Sequence, residues 1–275
     1  MLALRRALLT LLALGIVSAG LVATVTVASR HEPDKALAVL SGVVIGLSFI
    51  GVGLFAWWRR PLNRFGVLMT GVGFAWFMAS LTAANASAIF TIASYLGPLY
   101  IALVVHMVLA FPGGRLETIE QRAIVIAGYL LVVWVRLPFF LLGGDISSDL
   151  EGARPENVFA VTDDARSAVV FDWLAGFLAA VGLVITVVML VRKQRAATET
   201  QRRQRAPMLY TALAVFALVA LAELLMLAGA DQAADVLELA ALAGFAAMPW
   251  AFLAGLVRSR YSRAGAVGEL IERLN

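Results

Sequence analysis

The chain has 275 residues, 61% of them hydrophobic and 15% charged, whereas a soluble domain is nearer half apolar and a quarter charged, so the composition predicts an integral membrane protein. The absence of cysteine and the presence of only two histidines exclude disulfides and thiolate catalysis, and we expect no metal site and no cofactor. The net charge of +4 is typical of arginines that hold cytoplasmic loops in place, and we expect no nucleic-acid partner.

Eight stretches are apolar over the roughly 20 residues that a membrane span needs. They are residues 7–28, 36–58, 65–86, 88–111, 123–143, 168–192, 207–229 and 236–257. The first is longer than the apolar core of a signal peptide, so we interpret it as a span. The predicted fold class is therefore all-α, a polytopic transmembrane helical bundle over residues 1–257 with a cytoplasmic tail at 258–275.

Basic residues predict how these spans are oriented. With the N-terminus inside, 17 of the 22 lysines and arginines fall in inner segments. The outer segments contain Arg30, Lys35, Arg154 and Arg166. This asymmetry follows the positive-inside rule. We expect both termini in the cytoplasm, a multi-pass protein of the inner (plasma) membrane, and the bilayer as its first partner.

The loops and kinks can also be predicted. The acidic outer loop 144–167 and the basic inner loop 193–206 are too short to hold a catalytic domain. Gly42 and Gly46 form a GxxxG pair that permits close helix contact. Three prolines lie inside spans, where each removes a helix hydrogen bond and favours a kink. They are Pro98, Pro138 and Pro249.

Residues 106–116 read HMVLAFPGGRL and end the fourth span. A proline followed by glycines stops a helix, and Arg115 then reaches the phosphate layer, so no active site is needed to explain the stretch. His106 has no second histidine, cysteine or nearby carboxylate in sequence. We interpret it as an interfacial or packed histidine and keep it as a sensing candidate, since buried ionisable groups carry functional weight. We assign no catalytic residue.

Three stretches resemble the membrane region of actinobacterial two-component sensor histidine kinases. HMVLAFPGGRL is similar to the family's hxxLaFPsGRL, and residues 57–76, WWRRPLNRFGVLMTGVGFAW, are similar to RRPxNRxGxLLxxxGxxW. Residues 257–275, VRSRYSRAGAVGELIERLN, are similar to the LRxRLxRaxVxdLvxeL that follows the family's last span. The three stretches cover about 50 residues in the family's order.

The resemblance implies a sensor or input module of a signalling protein. In the family, the tail continues into a helix with the phosphoacceptor histidine and then into an ATP-binding domain. These 275 residues contain neither. His31 is predicted outside and His106 within a span, so neither can be the phosphoacceptor, and no ATP-lid glycine motif is present. We therefore expect no enzyme activity. A truncated kinase, a split gene and a stand-alone membrane domain remain open, with a homodimer and a separate kinase or other cytoplasmic signalling protein as implied partners.

The tail allows two interpretations. Val267, Ile271 and Leu274 form one apolar stripe at helical spacing, and Glu269 pairs in sequence with Arg273. A signalling coiled coil could begin with this pattern. An amphipathic helix on the inner leaflet is the equal alternative.

Four ionisable residues, all of them sensing candidates, are predicted to form an outward-facing polar cluster in the outer half of the bundle. Arg136 and Glu223 lie roughly 10 Å and 9 Å from the outer ends of their spans, at 1.5 Å per residue. Asp172 and Glu238 are shallower, and we expect both to snorkel to the surface. A charge at such depth costs a few kcal/mol unless it is paired or hydrated. We hypothesise an Arg136–Glu223 pair as the sensing site, against the alternative that the two side chains snorkel independently.

Two further classes of function remain as alternatives to a sensory module. A transporter or channel agrees with the intramembrane charges, although no internal repeat of the kind found in many transporters is visible. An intramembrane enzyme is supported by no motif.

Overall fold

The computed structural model describes residues 2–146, 155–196, 198–227 and 230–274. Side chains at residues 2, 199–205, 223, 224, 226, 227, 231 and 256–274 are not described. The described residues form ten α-helices and no strand. These are α1 (Leu2–Ala28), α2 (Lys35–Arg59), α3 (Phe65–Ser80), α4 (Ser87–Leu96), α5 (Leu99–Leu109), α6 (Ile119–Leu130), α7 (Leu137–Leu141), α8 (Ala165–Arg195), α9 (Glu199–Leu227) and α10 (Asp231–Leu274).

The all-helical class is confirmed. Among the described residues, seven helical stretches are long and apolar enough to cross a membrane. They are Ala3–Ala28, Lys35–Arg59, Phe65–Ala83, Ser87–Leu109, Ile119–Leu141, Ala165–Arg195 and Gln232–Gly255. The seventh stretch of the sequence prediction falls on α9, whose apolar part, Ala206–Ala222, is shorter.

Two of these stretches are interrupted helices. The fourth consists of α4 and α5, which separate at Gly97 and Pro98. In the fifth, a π-helical turn at Leu131–Val135 follows α6, and Pro138 lies in the first turn of α7. Proline cannot donate the helix hydrogen bond, and wide turns of this kind bend helices. Two of the three proline positions therefore coincide with real breaks.

The third proline and the inner loop behave differently from the prediction. Pro249 lies inside α10, which is one helix from residue 231 to residue 274 and includes the predicted tail. The segment 193–206 was expected to be a loop, but α8 continues to Arg195 and α9 begins at Glu199. Hydropathy sets the limits of a span, whereas a helix can continue into water, where its backbone hydrogen bonds remain intact.

The chain divides into two compact units, Met1–Thr186 and Val187–Asn275. In the second unit, α9 packs along α10. Gly244 of α10 lies against Val215 of α9, so close that a Cβ on this glycine would be 2.9 Å from the valine methyl carbon. The buried side chains around this contact are those of Met208, Ala212, Phe245 and Met248.

The first unit is built on α1, α2 and α3. Val22 of α1 joins Ile50 of α2 and Phe77 of α3 in one buried cluster. Where α2 crosses α3, the backbones come into direct contact at Gly53 and Gly66. Gly46, the second glycine of the predicted GxxxG pair, lies against the ring of Phe77. The close helix contact inferred from that pair is therefore present.

At one end of the first unit, hydrogen bonds join two connecting segments, the α1–α2 loop and the turn after α3. Asn85 donates from Nδ2 to the carbonyl of Ala28 over 2.7 Å and accepts from the backbone N–H of Arg30 over 2.8 Å. The ring of His31 is buried and its Nε2 donates to the carbonyl of Thr82 over 3.0 Å. These bonds fix the α1–α2 loop against the turn after α3.

Candidate functional site

A cavity of about 450 Å³ lies beside the broken fifth stretch of the first unit. Helices α4, α7 and α8 and the chain that follows α7 contribute to its wall. The lining residues are Ser94, Arg136, Phe139, Phe140, Gly144, Asp145, Ile146, Ala165, Val169 and Asp172. The size is within the 300–1,000 Å³ range of small-molecule sites. One arginine, two carboxylates and aromatic rings make the cavity amphipathic.

Arg136 comes between the π-helical turn and α7. Its backbone N–H donates to the carbonyl of Leu131 over 3.2 Å, the i−5 bond of a π turn. Its guanidinium lies 5.8 Å from the ring centre of Phe140, in the range of a cation–π contact. The break in the helix therefore places the arginine at the cavity instead of within a continuous helix.

An aromatic wall supports this break. Tyr95 of α4 donates its hydroxyl to the carbonyl of Val133, which lies in the π-helical turn. Its ring makes edge contacts with Phe140 and Phe159, with ring centres 5.2 Å and 5.8 Å away. A carbonyl in a distorted helix needs such a partner wherever water is excluded, because an unsatisfied backbone group in hydrocarbon costs several kcal/mol.

The described end of the loop between α7 and α8, which the sequence predicts to be outside, is fastened next to the cavity. Thr91 is fully buried in α4; its hydroxyl donates to the carbonyl of Glu156 over 3.1 Å and accepts from the N–H of Val158 over 3.2 Å. Asn157 donates to the carbonyls of Phe140 and Gly144, over 2.9 Å and 3.3 Å. Residues 156–158 are thereby held against α4 and α7.

The start of α8 brings a carboxylate to the same cavity. Asp164 accepts from the N–H of Ser167 over 3.2 Å, as an N-cap does. Hydrogen bonds from the Ser167 side chain and from its backbone N–H hold the pKa of the Asp164 carboxyl below its ordinary value. Two turns later, Asp172 lines the cavity, and its negative charge acts on Arg136.

The sequence prediction placed Arg136 and Asp172 in one outward-facing polar cluster, and these two residues do share a cavity. Asp172 is exposed in the structure, as snorkelling requires, but it also faces the arginine. Its role as the neighbouring carboxylate was missed because depth was the only criterion for choosing a partner.

The other predicted site residues lie outside this cavity or cannot be assigned to it. The side chain of Glu223 lies outside the described residues, so the Arg136–Glu223 pair stays a prediction. Glu238 is exposed on α10 of the second unit. His106 is half-buried, and its Nδ1 lies 3.1 Å from the hydroxyl of Tyr129 on α6, within hydrogen-bond range. The polar partner of this histidine is therefore a tyrosine, which makes it a packed residue of the α5–α6 contact.

Two of the resemblance motifs meet at the other end of the first unit, and this contact was not predicted. Asn63, from RRPLNRFG, donates from Nδ2 to the carbonyl of Pro112 in FPGGRL over 2.9 Å and accepts from the N–H of Phe65 over 2.9 Å. The rings of Phe65 and Phe111 contact edge to face, with ring centres 5.3 Å apart. We call the contact between residues 60–66 and 111–115 the motif junction.

Two motif glycines allow close backbone contact, one at the motif junction and the other where α2 crosses α3. A Cβ on Gly114 would lie 2.2 Å from the backbone nitrogen of Phe65. A Cβ on Gly66 would lie 2.5 Å from the backbone nitrogen of Trp57. Both glycines match glycine positions of the family patterns, and Asn63 matches the asparagine position of its pattern. The motif positions are therefore explained by packing.

His31 is a buried polar residue to which the sequence assigned no role. Only 3% of its surface is exposed, and its ring makes an edge contact with Phe90, the ring centres 5.6 Å apart. Its Nδ1 has no hydrogen-bond partner within the part of the chain that the structure describes. Burial raises the pKa of the neighbouring Glu32 carboxyl, which the charge of Asp34 also raises and that of His31 lowers. No sequence pattern signalled this burial.

Among the described residues, no three histidine, aspartate or glutamate side chains converge as a metal site would require. Comparison of the chain with protein-family models, with curated proteins and with solved structures found no match. The similarity to the sensor-kinase membrane region therefore rests on the three motifs alone.

Arg136 and Asp172 are expected to be energetically coupled. Arg136→Leu and Asp172→Asn should each lower the melting temperature in detergent, and the double variant should lose less than the sum. The reason is that each single change leaves one charge facing the cavity without its partner. Neighbouring charges typically couple by about 0.5–3 kcal/mol.

The matched control is Arg136→Leu with Asp163→Asn, since Asp163 is exposed and does not line the cavity. These two effects should add. The same cycle with Glu223→Leu tests the original pair. Additive losses for Arg136 and Asp172 would show that the shared cavity contains no coupled pair.

Proposed function

We propose that the chain is the membrane input module of a signalling protein that resembles a two-component sensor histidine kinase. The observation that carries the proposal is the hydrogen bond from Asn63 to the carbonyl of Pro112, which joins two motifs that are 49 residues apart in sequence. Motifs that merely reflected membrane composition would have no reason to meet. The cavity lined by Arg136 supplies a place where a stimulus could bind, and α10 supplies an uninterrupted helix along which a signal could be transmitted.

We further propose eight spans with both termini in the cytoplasm. The basic-residue asymmetry supports this. In addition to the seven candidate spans, α9 contains a shorter apolar stretch, which brings the number of apolar stretches among the described residues to eight. The first unit is consistent with it as well. Residues 60–64 and 111–115 meet at one end, and the loop after α1 meets the turn after α3 at the other. Alternating ends are what successive spans require.

Reporter fusions should place residue 160 outside and residue 275 inside. A phosphatase that is active only outside should work at residue 160, and a fluorescent protein that folds only in the cytoplasm should work at residue 275. Fusions after residues 62 and 113 serve as inner controls from the motif junction. If residues 160 and 275 were on one side, the eight-span arrangement would be wrong.

The purified chain is expected not to label itself with phosphate from ATP. Neither histidine suits a phosphoacceptor, because His31 is buried at the proposed outer end and His106 lies in a candidate span. Incubation with γ-labelled ATP, with a complete sensor kinase as positive control, measures this. Acid-labile label on either histidine would contradict the expectation.

A chimaera tests the input function. Residues 1–275 are joined to a cytoplasmic kinase core that lacks its own membrane region, and autophosphorylation is measured in vesicles across outer pH and candidate solutes. We expect Arg136→Gln to change the response and Arg166→Gln, an exposed control outside the cavity, to leave it intact. If the Arg136→Gln variant responded like the wild type to every stimulus, the assignment of the cavity as the input site would be refuted.

A transporter is the second candidate, favoured by one observation: the cavity is lined by Arg136, a charge within a span. Solute flux in proteoliposomes distinguishes the two. Flux that depends on Arg136 favours transport. Kinase modulation without flux favours the input module.

A further inference from the structure

The motif junction forms one side of a second cavity, which is open to the surroundings and has a volume of about 600 Å³, at the end of the first unit opposite to His31. It is lined by Arg60, Pro61, Leu62, Asn63, Gly113 and Arg115. The two arginines come from different loops, yet face one space. Among the described residues, no aspartate or glutamate lines the cavity. Its electrostatic character is therefore that of an anion site.

The backbone under these arginines is fixed. Asn63 uses its amide nitrogen for Pro112 and its amide oxygen for Phe65, so both loops are tied to one side chain. Gly114 packs directly on the backbone of residues 64 and 65. A site whose parts are already in position loses less entropy when it binds a ligand.

The surroundings place this cavity at the boundary between hydrocarbon and water. The apolar stretch of α2 ends at Arg59, and that of α3 begins at Phe65. Trp58 is 57% exposed and Leu62 is 92% exposed. Tryptophan is enriched at membrane interfaces. An almost fully exposed leucine in a loop is more stable when its side chain enters the bilayer than when it remains in water. The lipid phosphates lie at this depth.

Arg59 is the useful contrast to Arg60. Its guanidinium lies over the rings of Phe55 and Trp58, 5.3 Å and 5.2 Å from their centres. It does not line the cavity. The two adjacent arginines thus have different surroundings, since Arg59 lies over aromatic rings and Arg60 lines the open cavity.

We propose that Arg60 and Arg115 bind a phosphate group in this cavity. The guanidinium fork suits phosphate oxygens, to which it donates parallel hydrogen bonds. Basic pockets between the ends of membrane helices suit anionic lipid headgroups. The exposed Leu62 beside the arginines favours a phospholipid as the source of the phosphate, since a lipid brings acyl chains to the same place. The proposal does not depend on the signalling role.

Lipid titration in neutral micelles tests the site without a charged bilayer surface. Phosphatidylglycerol is compared with phosphatidylcholine of identical chains, and bound lipid is counted by native mass spectrometry. We expect tighter binding of phosphatidylglycerol, because the quaternary ammonium of phosphatidylcholine is repelled by two arginines. The double substitution Arg60→Gln with Arg115→Gln should abolish that preference. Each arginine is expected to contribute about tenfold to the affinity for phosphatidylglycerol.

The control is Arg59→Gln with Arg122→Gln, which removes the same charge from exposed positions at the same end of the unit. It should keep the preference. All four arginines are exposed, so none of the substitutions is expected to disturb folding. Equal loss in both double variants, or no preference in the wild type, would overturn the proposal.

Glycerol 3-phosphate, added as a soluble competitor, identifies the source of the phosphate. Displacement of phosphatidylglycerol at comparable concentrations would mean that the phosphate alone is recognised. Displacement only at far higher concentrations would mean that the acyl chains contribute and that the ligand is a lipid. Either result retains the phosphate site.

Discussion

Replacing Gly114 with alanine is expected to lower the free energy of unfolding by about 3 kcal/mol or more. Gly114 has a φ of +70°, in the left-handed region that side chains disfavour. An added Cβ would lie 2.2 Å from the nitrogen of Phe65 and 2.7 Å from the carbonyl carbon of Arg64. Both are backbone atoms, so no rotamer change relieves the overlap, and the motif junction must open.

Gly113 provides the matched control. A Cβ there would meet nothing within 4 Å, and the residue is exposed. Gly113→Ala should change the unfolding free energy by no more than about 0.5 kcal/mol. Thermal unfolding in detergent, followed by tryptophan fluorescence, measures both variants. On the scale of soluble domains of this size, Gly114→Ala corresponds to a shift of roughly 5–10 °C. Equal melting temperatures for the two variants would contradict the described junction.

Composition and hydropathy predicted the helical class because a segment in hydrocarbon must satisfy its own backbone hydrogen bonds. The approximate positions of the spans follow for the same reason. The interruptions were only partly predictable. Pro98 and Pro138 indicated where helices could break, but Pro249 lies within α10. A proline removes one hydrogen bond, and tertiary packing decides whether the helix ends or continues.

The cavity lined by Arg136 shows the limit of reasoning from depth. Counting residues gives the height of a side chain in the membrane, but not the side of the helix on which it lies. Arg136 also follows a π-helical turn, which rotates everything after it relative to an ideal helix. The sequence could therefore identify Arg136 as unusual without indicating that Asp172 would share its cavity.

The motif junction could not be derived from the residues alone. Asn63 and Pro112 are separated by two helical stretches, and neither residue type specifies the other. The family patterns indicated which positions matter, and the structure supplies a physical reason for three of them. Asn63 links the loops by hydrogen bonds, and Gly66 and Gly114 let backbones approach. These roles concern architecture, which is why the chemical argument rests on the neighbouring arginines.

Replacing Gly66 with alanine should be the second strongly destabilising change, at about 1–3 kcal/mol. Its Cβ would lie 2.5 Å from the nitrogen of Trp57 and 2.6 Å from the carbonyl oxygen of Gly53, both in the backbone of α2. In a helix interior alanine gains about 0.5–1 kcal/mol over glycine, and because Gly66 lies in the first turn of α3, only part of that gain offsets the loss. Gly51→Ala isolates that gain, because a Cβ at this exposed position of α2 meets nothing within 4 Å. The two variants should therefore shift the melting temperature in opposite directions.

Gly53→Ala decides whether helix separation is the cause of the loss. A Cβ on Gly53 would lie 2.7 Å from the nitrogen of Thr70 and 2.9 Å from the carbonyl oxygen of Gly66, so it presses on the same crossing of α2 and α3. Once one added carbon has moved the helices apart, the second finds part of its space already made. The double variant with Gly66→Ala should therefore lose less stability than the two single losses combined. Strict additivity would mean that each alanine is accommodated locally, and that α2 and α3 do not need backbone contact at this crossing.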